Sequence, residues 1–119
     1  MKPFPNKPRG TFVGKGQWKL IRPFVYNSRL KGKITVPIDT ITDGASIPRF
    51  LWCLLGSPWS GRYAPGAIVH DHLYQEKKFT RKEADLVFLE SMEVLKVPLW
   101  KRRVMYRALR LFGGFAYRR

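Results

Sequence analysis

A single cysteine, Cys53, leaves this chain with no partner for an intrachain disulfide and no means of building a multi-cysteine zinc site. The fold must hold without covalent staples, a condition that suits a reducing compartment. Acidic residues are scarce and confined. All eight lie between Asp39 and Glu93, so the first 38 residues carry nine Lys/Arg and the last 24 carry eight, with no acid in either stretch. Long apolar runs are missing too: the longest, Phe50 to Leu55, is far too short for the roughly 20 residues a membrane helix needs. The opening Met1-Lys2-Pro3-Phe4-Pro5 is broken by prolines, and no secretory signal is expected there.

What is present argues for a folded globule. At 119 residues there is room for one domain, and a composition 45% hydrophobic and 14% aromatic is too apolar for general disorder. The formal charge of +15, concentrated at the two ends, favours an anionic surface as partner: lipid headgroups, nucleic acid or an acidic protein. The same charge also serves solubility and loose, non-specific binding.

Residues 1–9 hold three prolines among basic residues and read as an extended basic arm; residues 10–119 read as a single α+β domain. The segments Thr11–Val13, Trp18–Tyr26 and Lys33–Ile38 are rich in aromatic and β-branched residues, and turn formers separate them. They predict a small N-terminal antiparallel β region, with Pro23 and Pro37 marking edge strands or bulges. Residues 39–63 read as largely irregular.

A three-helix C-terminal part follows. Pro65 suits the first turn of a helix to about Lys77, and Thr80-Arg81-Lys82-Glu83 has the form of a capping box opening a second helix to about Leu95. Pro98 opens a third, with Gly113-Gly114 expected to end it.

The chemistry-bearing stretch is His70-Asp71-His72-Leu73-Tyr74. On a helix His70 falls between Leu73 and Tyr74, while His72 points about 160° away. On the second helix Asp85 lies among Phe88, Leu89 and Met92, with Glu83 and Glu90 projecting elsewhere. A carboxylate on an apolar face needs a partner, and His70 is the natural one if the two helices run antiparallel. A carboxylate that fixes an imidazole's tautomer prepares it to accept a proton. The pair also reads as a hydrogen-bonded core network that only joins two helices.

Thr42-Asp43-Gly44-Ala45-Ser46-Ile47-Pro48-Arg49, then His70-Asp71-His72-Leu73-Tyr74, then Arg81, Ala84-Asp85 and Phe88, resembles a small family of uncharacterised tailed-phage and prophage proteins. That resemblance implies a host bacterial cytoplasm or a phage virion as the location. A looser resemblance is to disulfide-free, phospholipase A2-like domains, in which a glycine-containing loop precedes a helix with His-Asp-x-x-Tyr and an Ala-Asp pair follows on the next helix. It implies that His70 activates water, Asp85 orients His70, and Asp71 binds Ca2+ with carbonyls near Gly56 and Gly61. Tyr74 and Asp43 are supporting candidates, although Asp43 in Asp43-Gly44-Ala45-Ser46 also suits a self-capping turn. The loop Leu55-Gly56-Ser57-Pro58-Trp59-Ser60-Gly61 is a poor copy of that family's glycine pattern, and the His70-to-Asp85 gap is shorter than usual there.

On the third helix Trp100, Arg103, Arg107 and Arg110 share one face and form a candidate anion-binding surface, with Val104, Ala108, Leu111 and Phe112 expected on a core-seeking side. Two functions from different classes follow. One is a metal-assisted ester or lipid hydrolase centred on His70, Asp71 and Asp85; the other is a non-catalytic nucleic-acid-binding or virion assembly protein whose His-Asp pair is structural.

Overall fold

A computed structural model describes residues 2–14, 17–42 and 63–118. The element order is β1 (Gly10–Gly14), β2 (Gln17–Leu20), β3 (Phe24–Ser28), β4 (Gly32–Val36), β5 (Ile41–Thr42), α1 (Ala64–Glu76), α2 (Arg81–Val94) and α3 (Leu99–Arg118). The protein is therefore α+β, an antiparallel β region followed by three helices.

The strands form two sheets. One has the order β1-β2-β5, and the other is the β3-β4 hairpin. The aromatic run Trp18–Tyr26 divides because Pro23, which has no N–H for a strand ladder, interrupts it between β2 and β3. Pro37 likewise sits just after β4 instead of inside it. The hairpin register pairs Phe24 with Val36 and Tyr26 with Ile34, so alternate residues turn to one buried face. Phe4 of the N-terminal arm stacks on Phe24 and Tyr26, and the Asn27 backbone N–H donates to the Pro3 carbonyl at 2.8 Å, which fastens the arm to β3.

Two apolar clusters meet at the helices. Leu20, Phe24, Tyr26 and Val36 from the strands pack on Ile68, Val69 and Leu73 of α1 and Val87 of α2. Tyr63, Ala67, Phe88, Met92, Met105 and Leu109 join the three helices to one another. Each large side chain buried in this way contributes roughly 1.5–3 kcal/mol.

The helix ends follow their sequence signals where those are strong. Thr80 and Glu83 make the reciprocal capping box at the start of α2, and Lys77 closes α1 in the left-handed conformation. The third helix departs from expectation: it runs through Gly113-Gly114 to Arg118. Its last turns are held by tertiary contacts, since the Tyr117 ring meets Tyr74 edge-on at 5.2 Å and its hydroxyl donates to the Phe79 carbonyl at 3.1 Å. The buried side of α3 also differs. Met105, Ala108 and Leu109 face inward, whereas Leu111 is 76% exposed and Phe112 54% exposed. The contact line of α3 lies about a sixth of a turn from the one that Ala108, Leu111 and Phe112 predict.

Candidate functional site

The helices α1 and α2 approach closely enough to bring their polar residues together. A Cβ on Gly66 would fall 2.2 Å from the Ser91 Oγ, so any larger residue at this crossing must displace Ser91 or part the helices. One turn further along α1, His70 Nε2 meets Asp85 Oδ1 at 2.7 Å, with both side chains fully buried. The Tyr74 hydroxyl donates to the same oxygen at 2.5 Å, as the i,i+4 spacing of His70 and Tyr74 on α1 allows. The imidazole lies against two rings, Tyr74 at 4.1 Å and Phe88 at 4.9 Å between centroids.

A third donor reaches Asp85 from α3. Arg110 Nη1 lies 2.9 Å from Asp85 Oδ2, so the guanidinium assigned by periodicity to the outer basic face turns inward onto the carboxylate. Burial alone would raise the carboxyl pKa of Asp85, but the hydrogen bonds from His70, Tyr74 and Arg110 outweigh it and hold the value below the ordinary 3.8. The Tyr74 phenol is pushed up, by burial first and then by the adjacent carboxylate.

These facts fix the roles of the ring nitrogens. An ionised carboxylate only accepts, so Nε2 of His70 donates to Asp85 and the lone pair of the neutral ring resides on Nδ1. Nδ1 is buried and has no hydrogen-bond partner among the described residues. Leaving a buried polar atom unmatched costs about 1–3 kcal/mol, which calls for an explanation.

Of the remaining candidates, Asp71 is buried on α1 beside His70. Asp43, Gly56 and Gly61 fall outside the described residues. Among the described residues no group of three or more His, Cys, Asp or Glu side chains could hold a metal ion. His72 faces away from the dyad, as expected; its Nε2 lies 3.4 Å from Glu76, and burial lowers its pKa against the opposing pull of that carboxylate. Trp100, Arg103 and Arg107 remain on the exposed side of α3.

Sequence reasoning missed Glu90. It is buried on another side of α2, where it accepts the Tyr26 hydroxyl at 2.5 Å, the Ser28 hydroxyl at 2.8 Å and the Leu30 N–H at 3.2 Å. The one local signal was Ser28 ahead of the β3-β4 turn, whose hydroxyl also accepts from the N–H groups of Leu30 and Lys31.

The family model described as "Protein of unknown function (DUF1353)" matches residues 18–109. The chain belongs to this family. The match runs from β2 into α3 and includes His70, Tyr74, Arg81 and Asp85. Similar proteins are the "Uncharacterized protein y4jT" of Sinorhizobium fredii, 31% identical over 113 residues, covering 92% of this chain and 34% of that protein, and the "Uncharacterized protein y4iH" of the same organism, 36% identical over 75 residues, covering 63% of this chain and 31% of that protein. The chain thus spans about a third of the length of these two relatives. No solved structure matches it. No helix among the described residues is long and apolar enough to cross a membrane.

Proposed function

We propose that this protein is a phage-encoded ester hydrolase, acting on lipid, in which His70 Nδ1 takes a proton from an attacking water. The observation that carries this reading is the buried Nδ1, without a hydrogen-bond partner among the described residues, of an imidazole whose other nitrogen is committed to Asp85. A water at Nδ1 would satisfy the orphaned atom, and loss of its proton to the ring would leave hydroxide to attack the ester carbonyl. Asp85, kept ionised by Tyr74 and Arg110, stabilises the imidazolium that forms. When the tetrahedral intermediate collapses, the imidazolium returns its proton to the leaving alkoxide.

Calcium belongs to the proposal only through Asp71. The described residues supply no further carboxylate or imidazole to complete a cluster, so each step rests on the chain's own groups. A calcium ion, if bound, would supply charge stabilisation at the carbonyl oxygen. The host bacterial cytoplasm or the virion is the proposed location.

The test is mass-spectrometric detection of fatty acid released from anionic phospholipid vesicles, with calcium or with chelator. The native protein is compared with His70→Ala, whose fold is checked by circular dichroism. Release that vanishes in the variant is expected; no release from the native protein overturns the reading, and chelator decides whether a metal takes part.

A second reading is supported by the exposed face of α3, where Trp100, Arg103 and Arg107 stand together on a chain of charge +15. In it the protein is a non-catalytic nucleic-acid-binding or virion assembly protein, and the His-Asp pair only joins helices. Binding to single-stranded DNA that falls steeply with salt and with loss of Arg103 and Arg107 would favour it.

A further inference from the structure

Two guanidinium groups border the site, Arg110 on Asp85 and Arg81 beside Tyr74, and Asp85 is already triply hydrogen-bonded. Arg110 uses Nη1 on Asp85, and its side chain is 36% exposed, so the remaining donors of its fork have room on the solvent side. Arg81 stands at the first position of α2 and spends Nη2 on the carbonyls of Leu109 and Arg110, at 2.5 and 2.6 Å. Among the described residues its Nε is buried without a hydrogen-bond partner and no carboxylate pairs with it, while its charge acts on the Tyr74 phenol and lowers that group's pKa against burial. A cation at the positive end of a helix gains nothing from the helix dipole. Among the described residues the Arg81–Arg110–Asp85 group therefore carries one positive charge in excess, close to His70.

We infer that Arg81 and Arg110 form an anion subsite that selects substrates carrying a phosphate next to the scissile ester. This deepens the hydrolase reading and rests on it. A planar guanidinium suits phosphate oxygens, and binding there would supply the charge that Asp85 alone leaves unmatched. Arg110 is at once the residue that keeps Asp85 in place and the one that meets the ligand. Arg81 fixes the backbone from which Arg110 projects, which makes the pair specificity-determining without either group touching the reacting bond.

The test titrates the full-length protein with hexyl phosphate, inorganic phosphate and neutral hexyl acetate, following arginine Nε–H resonances and affinity. Hexyl phosphate is expected to shift the Arg81 and Arg110 signals and to bind about tenfold more weakly to Arg110→Gln, as loss of one charge-assisted hydrogen bond implies. Lys82→Gln, which removes one exposed charge beside Arg81, should change affinity less than about twofold. Equal weakening by both variants would mean a diffuse field and would overturn the subsite, as would hexyl acetate binding as tightly as hexyl phosphate. Inorganic phosphate binding as well as the ester would keep the subsite and assign it to free phosphate. Should Arg110→Gln fail to fold, the shifts in the native protein decide, and unmoved Arg81 and Arg110 signals sink the proposal. Hexyl phosphate bound through Arg110 without any lipid hydrolysis would remove the hydrolase reading alone. Hydrolysis that Arg110→Gln slows equally for charged and neutral esters would remove the subsite alone.

Discussion

Gly66 and Ser91 set the distance between α1 and α2, because a single methyl on Gly66 would collide with the Ser91 hydroxyl at 2.2 Å and approach its Cβ at 3.1 Å. Gly66→Ala must push the helices apart or displace Ser91, whose hydroxyl donates to the Phe88 carbonyl at 2.7 Å. Such overpacking costs about 1–3 kcal/mol, and the displacement reaches His70 one turn later. The expected result is a lower urea midpoint, together with loss of the lipid hydrolysis proposed for His70. Ser91→Ala in the same chain should recover part of the stability, since the nearest clashing atom is gone; no recovery would place the strain elsewhere.

Tyr74→Phe keeps the ring that packs on His70 and removes only the hydroxyl held by Asp85. The loss should be about 1–3 kcal/mol, with the fold retained. A pH dependence follows. The folded-state pKa of Asp85 is depressed, so its stabilising contribution is complete above the ordinary value of 3.8 and disappears as pH falls through the lower folded value. With one of three donors removed the depression shrinks, and the acid-unfolding midpoint should move to higher pH. An unmoved midpoint would mean that His70 and Arg110 alone hold the carboxylate ionised.

The periodic part of this site was legible in the sequence. Asp85 on an apolar helix face demands a partner, and His70 and Tyr74 one turn apart present themselves together; the structure joins all three through one carboxylate oxygen. Long-range geometry was not legible. Nothing in the spacing of Arg103, Arg107 and Arg110 distinguishes the one whose guanidinium can reach under α3, because that depends on how α3 crosses α2. The continuation of α3 past Gly113-Gly114 was hidden for the same reason: local propensity favours a stop, and the Tyr117 contacts with Tyr74 and Phe79 override it. Pro23 announced an interruption, but whether it bends a strand or separates two sheets depends on pairing between distant segments.

Glu90 ties the β3-β4 hairpin to α2 through three hydrogen bonds. Glu90→Ala strands the hydroxyls of Tyr26 and Ser28 and the Leu30 N–H around a small void. A loss of about 1–3 kcal/mol or more is expected from the unmatched groups. Hydrogen exchange should show faster opening of β3 and β4, with α1 little changed. Uniform acceleration across the whole chain would instead show that hairpin and helices unfold as one unit.

His72 supplies the last prediction. Burial lowers its folded-state pKa below the ordinary 6.5, with Glu76 opposing the shift. Above 6.5 the ring is neutral in both states and its stabilising contribution is complete. Below 6.5 the unfolded chain binds the proton first, so stability declines as pH falls and levels off once the folded-state value is passed. His72→Gln keeps a polar side chain at the position and removes the titration. In urea unfolding between pH 6.5 and the carboxylate range, the native protein should lose stability while the variant stays flat. Parallel slopes in the two proteins would transfer the effect to another group.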